Sequence, residues 1–319
     1  MPAIERILFF GTPEFAVPTL EALVQAGRRP VRVVTQPSRP AGRSGHRLQD
    51  PPVALRAREH GIEIVQPEKV RAPGFLAQAA ALAPDVAVVV AFGQIFPRAL
   101  LDLPRLGCIN LHASLLPRWR GAAPIQAAVA AGDERTGNTT MLMEAGLDTG
   151  PMLLREETAI GPEETAVELS RRLSEMGGRL MVRTLEALER GEVQPQSQDD
   201  AAATHAPRLT RESGRVDWTL TAREIGNRWR AYTPWPGLSA GLRGEPVKLV
   251  RVEVLQEQAP DAAPGTFLGI RGEPDGRLAV ACGQGTVLGL AELQRPGRKP
   301  SRGSDFANGE RLRGGELFS

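Results

Sequence analysis

A doubly wound, Rossmann-like parallel sheet domain followed by a small OB-like β-barrel is the fold class predicted for this chain, and three observations carry the prediction. Strand and helix patterns alternate from residue 7 to about residue 131. Within that span Val86-Ala87-Val88-Val89-Val90 is apolar without alternation, as in a central parallel strand covered on both faces. Beyond residue 207 the rhythm changes to four or five short β-like runs separated by Gly and Pro, the pattern of a small barrel.

The elements follow in order. Residues 7–10 form a strand that ends at Gly11-Thr12-Pro13, where Thr12 is placed to cap a helix with Pro13 at its first position and Phe15, Leu20 and Leu23 on its apolar face. Strands are predicted at 31–35, 62–65 and 86–91, with helices at 51–60 and 75–82. Residues 139–143 and 152–155 read as further strands. A helical apolar pattern runs through Leu169, Leu173, Leu180, Leu185 and Leu188, with Gly177-Gly178 as a point of kinking or division. These elements define a first domain at 1–191. Residues 192–207, rich in Gln, Asp, Ala and Pro and without apolar periodicity, read as a linker. The second domain, 208–319, begins with a helix at 218–232, continues in strands at 247–255, 266–270, 278–282 and 286–293, and is expected to be loosely ordered over 296–315.

Composition narrows the functional class. A chain of 319 residues with 41% hydrophobic content can bury a core in each of two domains. The 34 glycines and 27 prolines call for many turns. Charge is balanced overall, yet residues 206–319 carry 17 basic and 13 acidic side chains, a lean that suits an acidic partner or a solvated surface. Cys108 and Cys282 lie far apart in the sequence, so no disulfide framework or zinc site is predicted, and a reducing cytoplasm is the expected location. The only apolar run near the start, residues 7–10, is far shorter than the ~20 residues of a membrane span. No metal is expected, and the protein is expected to be a monomer.

The most chemically committed stretch is 107–133. Ile109, Asn110, Leu111 and His112 alternate apolar and polar, so Asn110 and His112 share one face of a strand. A loop broken by Pro117 and Gly121 follows, and Pro124 opens an Ala-rich helix. Strand, loop and helix in this order place polar groups outside the carboxyl end of a strand, where ligands bind in open α/β sheets. A His and Asn satisfied by backbone within a core would produce the same pattern. The first βα turn, Gly11-Thr12-Pro13-Glu14-Phe15-Ala16, lacks the G-x-G-x-x-G fingerprint, which speaks against a bound dinucleotide.

The run Gly107-Cys108-Ile109-Asn110-Leu111-His112-Ala113-Ser114-Leu115-Leu116-Pro117-Arg118-Trp119-Arg120-Gly121, with Gly146-Leu147-Asp148-Thr149-Gly150, resembles the folate-dependent formyltransferases. Further matches are Phe10-Gly11-Thr12-Pro13, Thr35-Gln36-Pro37, Arg39-Pro40-Ala41-Gly42-Arg43, Arg230-Ala231-Tyr232, Pro234-Trp235-Pro236 and Ala263-Pro264-Gly265-Thr266. The resemblance implies transfer of a formyl group from 10-formyltetrahydrofolate to an amine, and by implication that amine is the α-amino group of methionine on initiator tRNA. It makes Asn110, His112 and Asp148 the catalytic set. Amine attack on a formamide generates an oxyanion and a protonated nitrogen, so the site needs a donor and a base. An Asn amide donates without changing charge, an imidazole exchanges protons near neutral pH, and a carboxylate can orient the imidazole and stabilise its cation. From its residues alone, Asp148 reads equally as a turn former between two Gly-rich turns.

By resemblance, Ser114, Leu115, Leu116 and Pro117 line the folate pocket and Phe92, Gly93, Gln94 and Ile95 form its neighbouring wall. Ser114 is also in the position of a local backbone partner, and the run ending at Ile95 would serve equally as core and strand end. Residues 22–49 carry six arginines, His46 and no acid. Pro37, Pro40, Gly42 and Gly45 forbid regular structure there, so the charge is expected on a mobile, irregular arm. A solvated basic loop is one reading. The resemblance makes the arm a tRNA-reading insertion with Arg39, Arg43 and Arg47 as contacts, although arginines stand where the family more often has lysines. Arg295, Arg298, Lys299 and Arg302 would hold the tRNA body through its phosphates. A sister enzyme acting on a small amine, such as a ribonucleotide or a sugar nucleotide, is the alternative, and it has little need of the arm or the barrel.

Overall fold

The computed structural model describes residues 3–41, 47–272 and 276–319. The chain divides into two units, the first made of Met1–Pro124, Arg135–Ala159 and Leu169–Ala206, the second of Ile125–Glu134, Ile160–Glu168 and Pro207–Ser319.

The first unit begins β1 (Ile7–Gly11), α1 (Val17–Gln25), β2 (Arg32–Val34) and two short strands, β3 (Arg39–Ala41) and β4 (Arg47–Gln49). It continues α2 (Pro52–Glu59), β5 (Ile64–Val65), α3 (Pro73–Ala81), β6 (Val86–Val90), α4 (Arg98–Leu101), β7 (Cys108–His112) and β8 (Arg120–Gly121). In chain order α5 (Pro124–Ala131) comes next, all but its first residue in the second unit; the first unit resumes with β9 (Arg135–Leu142), β10 (Met152–Ala159), α6 (Ala166–Arg190), whose first three residues fall in the second unit, and β11 (His205–Ala206). Seven strands make one sheet in the order β10-β9-β7-β6-β1-β2-β5. The five from β7 to β5 run parallel, while β9 and β10 join antiparallel. The order reverses at β1, with β2 on one side and β6 on the other, a switch point of the kind at whose carboxyl edge open α/β sheets bind ligands.

Both faces of this sheet are covered, and the sequence shows why. Ile7, Phe9, Val86, Val88 and Val90 pack on one side with Leu20, Leu23, Leu180 and Leu185 of α1 and α6. Leu8, Phe10, Ala87 and Val89 pack on the other with Phe75, Phe92 and Phe96. Phe10 meets Phe92 and Phe96 edge-on, with centroids 5.3 and 4.9 Å apart. Apolar residues at every position of β1 and β6 therefore serve two cores.

Four expectations for residues up to 207 are revised. α6 runs unbroken for 25 residues, because Gly177 and Gly178 are close-approach points: a Cβ at Gly177 would lie 2.5 Å from Leu111 Cδ2, and one at Gly178 2.7 Å from the Pro18 carbonyl oxygen. Thr12 caps no helix. Its hydroxyl instead donates to the Phe92 carbonyl and accepts from the Gln36 amide, both at 3.3 Å, tying three turns at the sheet edge. β3 and β4 pair antiparallel at the base of the arm expected to be irregular, and Pro40 sits in an edge strand, where a missing donor is tolerated. Finally, much of the expected linker is hydrogen-bonded into the first unit: Gln196 bridges to Met152, and β11 pairs in parallel with β8.

The second unit holds α7 (Ala222–Tyr232), closed at its start by a capping box between Thr221 and Glu224. Six strands follow: β12 (Leu238–Leu242), β13 (Glu245–Gln258), β14 (Phe267–Arg271), β15 (Arg277–Ala281), β16 (Thr286–Gln294) and β17 (Ser301–Arg302), with α8 (Gly303–Glu310) after them. They form an antiparallel sheet in the order β12-β13-β16-β15-β14, with β17 on β16. Leu242 of β12 bridges to Phe318, and Thr266, just before β14, bridges to Leu317, so one short segment joins the two edges around an apolar interior. Residues 296–315 are more ordered than expected because Phe306 and Ala307 of α8 are buried in that interior.

Cys108 and Cys282 are free and buried, and burial pushes each thiol up to about 12. Among the described residues no helix is long and apolar enough to cross a membrane.

Candidate active site

Strand β7 delivers the site. Ile109 and Leu111 are buried in the core shared with α6, which turns Cys108, Asn110 and His112 to the opposite face. Cys108 is covered by the second core, whereas Asn110 is half-buried in the middle of the strand and His112, its last residue, is buried. After His112 the chain makes a tight loop with a cis Leu116-Pro117 bond and Trp119 at φ +63°.

Three hydrogen bonds fix that loop. Ser114 Oγ donates to the Arg118 carbonyl at 2.6 Å, Thr139 Oγ1 donates to the Ser114 carbonyl at 2.7 Å, and the Leu116 amide donates back to Thr139 Oγ1 at 3.1 Å. The loop thereby brings the Trp119 carbonyl oxygen to 2.8 Å from His112 Nε2. A carbonyl oxygen only accepts, so Nε2 carries the hydrogen and the neutral ring presents its Nδ1 lone pair. Nδ1 lies 3.7 Å from Asp148 Oδ2. That is beyond hydrogen-bond length and close enough for a carboxylate to stabilise an imidazolium. Asp148, at φ +53°, is itself held: Oδ2 accepts the Gly121 amide at 2.8 Å, and its carbonyl accepts from Gln198 Nε2 at 2.7 Å. The structure thus brings Asp148, from a separate loop, beside His112 at the end of β7 and puts Asn110 two residues before His112 on the same strand face.

The residues expected at the folate pocket divide into two kinds. Ser114 and Leu116 are fully buried, and the Ser114 hydroxyl is committed to the loop, so neither presents its side chain to a ligand. Leu115 and Pro117 are partly exposed. Phe92 is buried in the core, Gly93 takes φ +83°, and Ile95 is 91% exposed. Gln94 is taken up by internal bonds: Oε1 accepts the Val70 amide at 2.9 Å, and Nε2 faces Gln36 Oε1 and the carbonyls of Pro67 and Glu68. Gln94 therefore anchors the 92–95 turn to its neighbour.

Of the arm's expected contacts, Arg39 is exposed on β3, Arg47 lies on β4, and Arg43 lies outside the described residues. At the arm's base Asp50 accepts from Ser38 and pairs with Arg58 at 2.5 Å, and these partners hold its carboxyl below the usual range. In the second unit Arg298 and Lys299 are exposed, but Arg295 pairs with Glu310 at 2.9 Å and lies over the Phe306 ring, so it serves the fold.

Sequence reasoning missed the groups that orient the catalytic candidates. They are a backbone carbonyl (Trp119), a backbone amide (Gly121), a buried hydroxyl (Thr139) and two side chains in the expected linker, Gln198 and Thr204. The Thr204 Oγ1 accepts the Trp119 amide at 2.9 Å, and its carbonyl accepts the Arg120 amide at 2.8 Å. The only sequence signal was the unusual density of polar residues in 196–204.

Comparison with known proteins decides the family. The model for formyl transferase matches residues 5–185, more than half of the chain, and that for the formyl transferase C-terminal domain matches 208–311. The chain belongs to the formyl transferase family. It is 53% identical over 308 residues to a methionyl-tRNA formyltransferase of Acidobacterium capsulatum, covering 96% of this chain and 97% of the relative. It is 48% identical over 306 residues to the enzyme of that name in Stutzerimonas stutzeri, covering 96% and 95%. Among solved structures it resembles the N-formyltransferase of Helicobacter canadensis, in complex with folinic acid and dTDP-3-aminofucose, at a TM-score of 0.66 and 15% identity, covering 89% of this chain and 98% of that one. HypX of Aquifex aeolicus, in complex with tetrahydrofolic acid, gives a TM-score of 0.59 at 18% identity, covering 98% of this chain and 48% of that one. At such identities the likeness is one of fold.

Proposed function

We propose that this formyl transferase moves the formyl group of 10-formyltetrahydrofolate to the α-amino group of methionine on initiator methionyl-tRNA. The observation that carries this reading is full-length similarity, 53% over 96% of the chain, to a relative whose name states both the reaction and the acceptor. The basic residues of the arm and of the second unit fit an acceptor covered in phosphates, for which a small-amine enzyme has little use.

The amine attacks the formyl carbon, a C–N bond forms, and the carbonyl π pair moves onto oxygen. Asn110 donates its amide hydrogen to that oxyanion. His112 Nδ1, left unprotonated by the bond from Nε2 to Trp119, takes the proton of the attacking nitrogen, and the Asp148 carboxylate stabilises the resulting imidazolium. Collapse of the intermediate returns the electron pair to the carbonyl and expels N10 of the folate, which takes the proton back from His112. Leu115, Pro117 and Ile95 offer apolar surface to the donor, and Arg39, Arg43 and Arg47 contact the acceptor's phosphates.

The test supplies the donor with charged initiator tRNA and, separately, with a panel of sugar-nucleotide and ribonucleotide amines, and follows consumption of the donor. Turnover with the tRNA and none with the panel is the expected result. Turnover with a small amine alone would name the sister activity instead.

A further inference from the structure

Residues 192–207 read as a linker, yet Gln198 makes three hydrogen bonds at the site. Its Nε2 donates at 2.7 Å to the carbonyl oxygens of both Asp148 and Gly150, and its Oε1 accepts from Arg120 Nε at 2.9 Å. This use of the amide fixes its orientation, since a flipped amide would set oxygen against two carbonyls and NH₂ against a guanidinium. Arg120 is itself 5% exposed and pairs with Asp200 at 2.8 Å, so the Gln198 oxygen is held from a buried anchor.

What Gln198 grips is strained. Asp148 is a non-glycine residue at φ +53°, in the left-handed region that favours glycine, and such a conformation persists where its surroundings over-determine it. Its neighbours Gly146, Leu147 and Thr149 are exposed, so little packing on that side restrains the turn. Two carbonyls of the turn, at positions 148 and 150, are held by one side chain 50 and 48 residues away. The carboxylate that faces His112 Nδ1 at 3.7 Å projects from this same turn.

We propose that Gln198 is a positioning residue for formyl transfer, holding the Asp148 turn so that its carboxylate faces the His112 imidazole. The proposal rests on the reading of Asp148 as the partner of His112. Gln198 acts through Asp148, and its removal loosens the carboxylate without touching the donor or acceptor.

A double-mutant cycle tests it. Gln198→Leu removes all three bonds; Gln198→Glu keeps the acceptor for Arg120 and removes the two donations. Each is made alone and with Asp148→Asn, and kcat, both KM values and the melting temperature are measured. The expected result is a kcat lowered about 10-fold by either Gln198 substitution, with KM for charged tRNA and for the donor within about threefold. In the Asp148→Asn background the same substitutions lower kcat by less than about twofold, because the group they position is already lost. If Gln198→Leu does not fold, Gln198→Glu carries the same cycle. A kcat within twofold of the parent, or an undiminished 10-fold loss in the Asp148→Asn background, would overturn the proposal. Full activity of Asp148→Asn alone would instead remove the reading beneath it, so the two failures are told apart.

Discussion

His112 Nε2 donates its hydrogen to the carbonyl oxygen of Trp119 at 2.8 Å, so a backbone group seven residues on, not a carboxylate, sets the tautomer of the candidate base. Where a carboxylate sets the tautomer, its amide replacement lowers kcat by ~10⁴. Here Asp148, 3.7 Å from Nδ1, supplies charge alone. Asp148→Asn is therefore expected to lower kcat by about 100-fold, with the ring still held by Trp119. Steady-state kinetics at saturating donor and tRNA check this, and a 10⁴-fold loss would return the tautomer-setting role to Asp148.

Helix α6 offers a contest between propensity and packing. Ala is favoured over Gly in a helix interior by about 1 kcal/mol. At Gly177 the added Cβ would lie 2.5 Å from Leu111, on the strand that carries the site. Gly177→Ala should destabilise by about 1–3 kcal/mol despite its better propensity. Gly309→Ala in α8, with nothing within 4 Å of its Cβ, should be neutral or stabilising by up to about 1 kcal/mol. Denaturant melts of the two variants give opposite signs if the packing argument holds.

The pair Arg28–Glu189, at 2.5 Å, ties the turn that follows α1 to the last turn of α6. The Arg28 guanidinium, helped by the Ile4 amide, holds the Glu189 carboxyl below its ordinary value of 4.5. A depressed folded-state pKa stabilises above the unfolded value, and that stability is lost as pH falls through the folded value. Glu189→Gln should cost about 1–2 kcal/mol at pH 7, with the gap closing below about pH 4.5. A gap independent of pH would mean the effect is not ionic.

The arm should act on one substrate only. Arg39 is exposed on β3, so Arg39→Ala is expected to raise KM for charged tRNA while leaving that for the donor unchanged, and to lower the salt slope of tRNA binding by about one unit. An unchanged tRNA KM and slope would remove Arg39 from the interface.

Much of this was legible in the sequence, and the omissions have physical reasons. The non-alternating run Val86-Ala87-Val88-Val89-Val90 gave away a sheet covered on both faces, and the alternation from Ile109 to His112 placed two polar groups on one side of β7. Asp148 carried no such signal, since a turn former and a carboxylate partner look alike; its place rested on resemblance until the fold set it beside His112. Trp119 and Gly121 act through backbone atoms, which every residue possesses, so no side-chain pattern could mark them. Gln198 and Thr204 were hidden because segments that lack apolar periodicity read as linkers, even when their polar side chains satisfy buried backbone groups. Gly177 and Gly178 were read through propensity, whereas their function is to let α6 approach Leu111 and Pro18.

His112 acting as the base is the central element of this chemistry, and His112→Gln is its direct test. A glutamine amide can still donate toward the Trp119 carbonyl but cannot take a proton, so the loop keeps its anchor while the chemistry is lost. In single-turnover reactions at saturating donor and charged tRNA, formyl transfer should fall by at least about 100-fold while the Kd for tRNA stays within about threefold. A transfer rate within a few-fold of the unsubstituted enzyme would contradict the assignment, and so would a loss of tRNA binding as large as the loss of rate.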